Sequence, residues 1–284
     1  MDTSCGQNQD PWRSHSVRIT EVTREIPGVV TLDLEFEDPV QAAAWTFRPG
    51  QFTMLYVPGV GESAISISGD ATDTARIRQT IRDAGNVTHS LTGFPTGTTI
   101  GLRGPFGSSW PVDACHGRDV ILVAGGIGLA PLRPVIYHML HHRQQYQELT
   151  LIVGAREPAL LLYPGEYEHW RTQGLNIMLT VDHADESWRG GVGVVTTVLE
   201  RLSLRSPADT MLMTCGPEVM MWYTIQTALG RGIPAGSLFL SMERNMNCAI
   251  ALCGHCQFGP YFLCREGPVF HFEKLRSILR IDDL

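Results

Sequence analysis

The chain has no basic block. Its 22 Lys and Arg are outnumbered by 29 Asp and Glu, giving a net charge of −7, so nothing in it would neutralise a phosphate backbone and no nucleic-acid partner is expected. Long apolar runs are missing too: the longest uncharged apolar stretch, Val120 to Leu132, is too short to cross a bilayer. The opening residues MDTSCGQNQDPWRS contain neither the basic nor the apolar region of a signal peptide. A cytoplasmic protein without a membrane span is expected. A disulfide framework is also excluded. Of seven cysteines, Cys5, Cys115 and Cys215 are scattered while the other four crowd near the end, which suits metal binding or redox work in a reducing compartment. Neither an internal repeat nor a low-complexity linker occurs.

What is present fits two compact domains. The 284 residues are 43% hydrophobic and 18% charged, enough for two cores. From Ser16 to Arg103 the pattern is short alternating strands around Val17/Ile19, Leu32/Leu34/Phe36, Phe52/Leu55/Val57, Ile65/Ile67 and Ile77/Ile81, punctuated by Pro-Gly turns. With one short helical piece at Val87 to Leu91, this predicts a small antiparallel barrel. After Gly104-Pro105-Phe106-Gly107 the rhythm changes. Apolar strands at Asp119–Ala124, Leu149–Gly154, Asn176–Val181, Met211–Thr214 and Leu238–Leu240 alternate with helices at Leu129–Arg143, Tyr167–Gln173, Thr196–Leu202 and Glu218–Leu229, which predicts a parallel sheet covered by helices. The expected fold is thus an all-β barrel followed by an α/β parallel-sheet domain, with a C-terminal module that the cysteine spacing given next marks as [2Fe-2S]. The expected boundaries are 1–113, 114–241, 242–270 for the module and 271–284 for a tail.

The module is read from its cysteines. Cys248, Cys253, Cys256 and Cys264 follow C-x4-C-x2-C-x7-C, whose first three positions reproduce the plant-type ferredoxin spacing. Four thiolates would serve two irons, and Gly254 would let backbone amides approach the sulfurs. The alternative is a structural zinc site, for which two C-x2-C knuckles are usual; here only Cys253 and Cys256 form one. The same single C-x-x-C excludes a nickel-iron centre on this chain.

A second signal is the strand Val120–Ala124 running into Gly125-Gly126-Ile127-Gly128-Leu129-Ala130-Pro131. A Gly-rich turn at a helix N-terminus turns amides and the helix dipole toward a pyrophosphate. Pro131 replaces the third glycine of the usual fingerprint, and tight packing is the competing reading of such a turn. Strand Met211–Thr214 ends in Cys215-Gly216-Pro217-Glu218, and parallel sheets bind ligands at the carboxyl ends of their strands, so both turns can face one crevice. A buried core thiol is the alternative for Cys215.

The order of these motifs, with Ser63-Ala64-Ile65-Ser66 and Gly85-Asn86-Val87-Thr88 before them, resembles the ferredoxin-NADP reductase superfamily over nearly the whole chain. With the cysteines appended, it resembles the group that holds the gamma subunit of cytoplasmic NiFe hydrogenases (sulfhydrogenases) and the electron-transfer subunits of dihydroorotate dehydrogenase and anaerobic sulfite reductase. Ser241-Met242-Glu243-Arg244-Asn245-Met246-Asn247-Cys248 and Gly267-Pro268-Val269-Phe270 look most like the hydrogenase and sulfite reductase members. The resemblance implies FAD on the barrel, NAD(P) on the second domain and the cluster beside the flavin. Ser63, Ala64, Ile65 and Ser66 would line the flavin, with the Ser66 hydroxyl at its reactive edge. Thr80, Ile81 and Arg82 would lie along the FAD chain, and Gly85, Val87 and Thr88 at its pyrophosphate. Gly125, Gly126, Gly128, Pro131, Cys215, Gly216 and Pro217 would hold NAD(P), and Cys215 and Glu218 would order its nicotinamide. The superfamily has Arg and Tyr where this chain has Ser63 and Ile65, so Arg82 or Arg103 would have to supply the positive charge.

A nicotinamide exchanges two electrons and an iron-sulfur cluster one, so a flavin must stand between them. The expected function is a diaphorase subunit that moves electrons between NAD(P)H and a partner subunit carrying iron-sulfur clusters, in a NiFe hydrogenase complex. The sulfite reductase or dihydroorotate dehydrogenase partner role is the alternative, and a non-enzymatic zinc-stabilised binding module is the alternative of another class. The choice of NAD or NADP stays open: Arg156 could pair a 2′-phosphate and Glu157 a ribose hydroxyl, and a solvated Arg-Glu pair is the plain reading. Phe272, Leu275, Arg276, Ile278 and Leu279 suggest a short amphipathic helix, either docking a partner or covering the chain's own core.

Overall fold

The computed structural model describes residues 10–279. Eight elements precede residue 107: β1 (His15–Ile26), β2 (Val29–Phe36), α1 (Pro39–Ala44), β3 (Phe52–Val57), β4 (Gly61–Ser66), β5 (Ile77–Arg82), α2 (Asn86–Gly93) and β6 (Thr99–Phe106). The six strands form one antiparallel sheet in the order β4-β3-β6-β1-β2-β5. A bridge between Ile67, just past β4, and Gln79 of β5 joins its two edges, giving the expected barrel. Alternate residues of these strands, among them Val17, Ile19, Leu32, Leu34, Leu55, Ile67 and Leu102, fill its interior, as a two-residue side-chain period requires. The helix α1 had no sequence signal beyond its cap, in which the Asp38 carboxylate accepts from the Val40 amide at the Pro39 start.

The second half contains β7 (Asp119–Gly125), α3 (Leu129–His141), β8 (Leu149–Ala155), α4 (Tyr167–Thr172), β9 (Asn176–Val181), β10 (Gly191–Val192), α5 (Val195–Arg201), β11 (Thr210–Cys215), α6 (Glu218–Gly230) and β12 (Leu238–Ser241). Beyond them lie the small hairpin β13 (Gln257–Phe258) and β14 (Tyr261–Phe262), then β15 (Val269–His271) and α7 (Phe272–Leu275). The main sheet runs β10-β9-β8-β7-β11-β12-β15. All its pairings are parallel except the last, where β15 lies antiparallel on β12.

Two expectations need correction. The stretch 242–270 is not wholly apart from the sheet, because Val269–His271 returns to complete its edge, and the boundary at 270/271 cuts a strand. The tail stripe is core rather than a docking face: Phe272, Leu275 and Leu279 are buried in one apolar cluster with Cys256, Phe258 and Cys264, and Ile278 packs on it. The remainder of that tail, like Cys5, lies outside the described residues.

A polar seam joins the two halves. The Tyr163 hydroxyl reaches from the second half to Thr80 of β5 (2.5 Å), which is also hydrogen-bonded to Ser68 and Thr31 (2.9 Å each). Beside it the buried Arg133 of α3 pairs with Glu166 and stacks 4.1 Å from the Tyr163 ring centroid. The barrel is thereby fixed against the face of α3.

Candidate functional site

The cysteine loop has almost no regular structure, and backbone turns shape it instead. Ala249 and Ala251 hold left-handed φ of 63° and 60°, and Gly254 one of 80°, a conformation that costs an alanine energy and is met where a surrounding structure demands it. The result is a nest of amides turned toward sulfur. Cys248 Sγ accepts from Ile250 (3.4 Å), Leu252 (3.3 Å) and Cys253 (3.4 Å), Cys264 Sγ from Ala251 (3.1 Å), and Cys256 Sγ from Cys264 (3.5 Å). Cys248, Cys256 and Cys264 are buried and Cys253 is exposed.

Cys248 neighbours Cys253, and Cys264 neighbours Cys256 and, more remotely, Cys248. Four thiols on one loop supply the donor set that two sulfide-bridged irons take, and their C-x4-C-x2-C spacing is that of a plant-type iron-sulfur loop rather than of two zinc knuckles. The electrostatics differ within the set. Burial opposes the thiolate of Cys248, but the amides of Ile250, Cys253 and Leu252 outweigh it and bring its pKa down to about 6. Burial, then the neighbouring Cys256, pushes Cys264 up to about 12. Bound metal would remove the difference, because a coordinating thiol is deprotonated outright.

The expected flavin strand adjoins this loop. Ala64 of β4 packs on the apolar cluster that contains Cys256 and Cys264, together with Phe52, Phe106, Met242 and Met246. The hydroxyls of Ser63 and Ser66 make no hydrogen bond among the described residues, so both are available. Ile65 turns into the barrel core, and its carbonyl accepts from Gln79 Nε2 (2.8 Å). The helix α2 packs against β3, β4 and β5, with Val87 against Gly61 at the start of β4. Thr88 Oγ1 accepts from the Ala84 and Gly85 amides (3.0 Å each), and the first-turn amides of Asn86, Val87 and Thr88 have no intrahelical partners. These amides form a cradle that would fit a pyrophosphate.

Two of the three residues expected along the FAD chain have buried side chains. Thr80 spends its hydroxyl on three partners and Ile81 is buried, so of that trio only Arg82 presents its side chain to solvent. Arg103 is not a free cation either: it is buried and fully engaged by Glu62 and backbone carbonyls, which leaves Arg82 as the candidate charge.

The two glycine turns do meet. Strands β7 and β11 are neighbours, with Ala124 opposite Cys215. A Cβ on Gly128 would lie 2.2 Å from the Cys215 carbonyl oxygen, and one on Gly216 3.0 Å from the Gly125 nitrogen. Only glycine permits backbones this close. The Cys215 thiol is buried, donates toward the Ser241 carbonyl (3.9 Å) and is pushed well up by that burial, so it stays protonated. Glu218 opens α6 and pairs with Arg244 (3.5 Å), whose guanidinium lies 4.5 Å from the Phe258 ring centroid. That contact ties the crevice to the cysteine module; Arg244 lies in the stretch 241–248 that carries the resemblance, but nothing there pointed to Glu218 as its partner. Pro131 sits buried inside α3, its carbonyl accepting from Trp110 Nε1 (3.0 Å). Arg156 is exposed beyond β8, its carbonyl held by the His183 amide (2.8 Å).

Two family models match. Residues 122–226 match the oxidoreductase NAD-binding domain, and residues 243–276 the iron-sulfur cluster binding domain of dihydroorotate dehydrogenase B. Sulfhydrogenase 1 subunit gamma of Pyrococcus furiosus is 33% identical, over 95% of this chain and 94% of that protein. A probable dihydroorotate dehydrogenase B (NAD(+)) electron transfer subunit of Methanocaldococcus jannaschii is 34% identical, over 92% and 91%. Among solved structures, the NADH-dependent reduced ferredoxin-NADP oxidoreductase has the same fold, with a TM-score of 0.73 at 23% identity over 92% of each chain. No helix of the described residues is long and apolar enough to cross a membrane. A barrel joined to an NAD-binding sheet, closed by a module that supplies four thiols, agrees with these relatives along nearly the full length, and the chain belongs to the family of sulfhydrogenase gamma subunits and dihydroorotate dehydrogenase B electron-transfer subunits.

Proposed function

We propose that the chain moves electrons between NAD(P)H and a partner redox subunit through FAD and a [2Fe-2S] cluster, in the cytoplasm, as the diaphorase subunit of a NiFe hydrogenase complex. The observation that carries this reading is the contiguity of the flavin strand and the cysteine loop: Arg103 joins Glu62 of β4 (2.8 Å) to the Asn247 and Cys248 carbonyls (3.0 and 3.1 Å). When bound, flavin exchanges a hydride with nicotinamide and single electrons with the cluster. In this reading residues 114–241 hold the nucleotide: the amides of Gly125, Gly126 and Gly128 and the start of α3 bind its pyrophosphate, Arg156 pairs a 2′-phosphate, and Gly216 and Pro217 shape the crevice. Cys215, as a neutral thiol, and Glu218, held by Arg244, order the nicotinamide. Ser66 offers its hydroxyl to the flavin edge, Val87 and Thr88 offer amides to the FAD pyrophosphate, and Arg82 supplies charge. Cys248, Cys253, Cys256 and Cys264 would hold the two irons of the cluster. The apolar side chains Phe52, Phe106, Met242 and Met246 keep water from the path between them.

Likeness to a sulfhydrogenase gamma subunit over 95% of the chain favours the hydrogenase partner. The match of residues 243–276 to a dihydroorotate dehydrogenase B module supports that enzyme's partner role as the second reading. The test is anaerobic. The purified chain should carry about one FAD and about two irons, and NADPH or NADH should bleach the flavin and raise the EPR signal of a reduced [2Fe-2S] cluster. Bleaching without that signal would refute the route. Co-purification from the native source with a nickel-containing subunit, or with a dihydroorotate-oxidising one, decides between the partners.

A further inference from the structure

Arg103 lies on β6 in the barrel, yet two of the five N–H groups of its guanidinium are spent on the cysteine module. It is 3% exposed, and each of its five N–H groups has an acceptor. Nε and Nη2 form a fork to the two oxygens of Glu62 (2.8 Å each), Nη2 also donates to the Asn247 carbonyl (3.0 Å), and Nη1 donates to the Cys248 (3.1 Å) and Pro11 (3.0 Å) carbonyls. The rings of Trp12 and Phe106 flank it at 5.5 and 5.7 Å. A guanidinium has no sixth donor to give.

The two module carbonyls belong to the first cysteine of the loop and the residue before it. Drawn toward Arg103, they turn the chain so that Ala249 enters its left-handed φ of 63° and the amides of Ile250, Leu252 and Cys253 face Cys248 Sγ. An apolar contact could hold barrel and module together as well, since buried ion pairs contribute little net stability compared with well-packed hydrophobic residues. What an apolar contact cannot supply is a fixed positive charge one peptide away from a cluster ligand, or a fork that dictates where two carbonyls point.

We propose that Arg103, balanced by Glu62, is a positioning residue that orients the Cys248 turn and sets the reduction potential of the cluster. The proposal rests on the assignment of the four cysteines as cluster ligands. Reduction adds negative charge to the cluster, so nearby positive charge raises its potential and unpaired negative charge lowers it.

The test is an EPR-monitored redox titration of the full FAD-containing chain and of three variants, with iron release to a chelator followed in parallel. Arg103→Gln leaves Glu62 unpaired beside the module and should shift the potential more negative, whereas Glu62→Gln leaves the Arg103 charge uncompensated and should shift it more positive. Arg103→Lys keeps the charge but loses the fork. It should stay near the wild-type potential while releasing iron about tenfold faster, the usual size of a lost outer-shell contact. If Arg103 variants do not fold, as judged by FAD content, Glu62→Gln alone decides by its positive shift. Unchanged potential in Glu62→Gln overturns the proposal, as does an equal shift of one sign in all variants. A wild-type chain that takes up no iron overturns the ligand assignment and this proposal together, and is told apart because it fails before any variant is made.

Discussion

The dinucleotide turn and the cysteine loop are both built from backbone, but by opposite means. At the turn, β7 and β11 press together so closely that Gly128 has the Cys215 carbonyl where its Cβ would be, and the side chains around it are core. The site exists before any ligand arrives, because parallel-sheet packing makes it. Between Cys248 and Cys256 there is no ladder to impose a shape. Left-handed Ala249 and Ala251, three amides on one sulfur and the Arg103 fork hold it. The first site should therefore fail through packing and the second through its ligand.

Replacing one thiol gives the largest expected effect and separates the two sites most cleanly. Cys253→Ser should lose essentially all iron, because a hydroxyl is a poor soft ligand, while FAD and the NAD(P)H-dependent reduction of a flavin-level dye persist on the separate barrel and sheet. Iron content and dye assays check this. Retained iron would dissolve the contrast.

Gly128→Val tests the other side. A side chain in a space where a Cβ already meets a carbonyl oxygen at 2.2 Å should cost about 4 kcal/mol, at the upper end of overpacking and single-mutation effects. Urea unfolding followed by circular dichroism measures it. Iron content per folded chain should change little, since the cysteine sulfurs take their amides from the loop itself.

Leu275→Ala probes the boundary between the regions. Leu275 is fully buried in the apolar cluster that contains Cys256 and Cys264, so its truncation should destabilise the fold by about 3 kcal/mol and speed iron loss. A variant with wild-type stability that merely lost its partner would restore the docking reading that its burial argues against.

The sequence displayed more of the sheet than of the loop. Five strands of the sheet, β7, β8, β9, β11 and β12, are continuous apolar runs whose positions along the chain followed from period and turn residues, while the short β10 and β15 at its edges carried no such run. The cysteine spacing announced ligands, but nothing in it marked Arg103, because a contact across 145 residues leaves no local pattern. The stretch holding Arg244 was marked, but its contact with Glu218 was not, for the same reason. Alternation along a strand does not tell which face a bound molecule takes, and the face of Thr80 is claimed by Thr31, Ser68 and Tyr163 while Ile81 turns into the core. The tail stripe was legible as a stripe. Only the structure shows that its partner is the chain's own module.

The smallest expected effect concerns Arg156, where the turn-built site meets solvent. The backbone there is pinned, the Ala155 and Arg156 carbonyls accepting from the Asp182 (3.0 Å) and His183 (2.8 Å) amides, while the guanidinium makes no side-chain contact among the described residues. A fixed stem with a free cation at the carboxyl end of β8 suits a 2′-phosphate, which NADPH carries and NADH lacks. Arg156→Ala should raise the Michaelis constant for NADPH about fivefold, roughly 1 kcal/mol, and leave that for NADH nearly unchanged. The exposed setting limits the size, because solvent screens a surface ion pair. Stability and iron content should stay at wild type, unlike in Gly128→Val, since no packing is lost. Steady-state kinetics with both nucleotides decides the matter: equal changes for the two would remove Arg156 from nucleotide selection and return it to the solvated pair it forms with Glu157 in sequence.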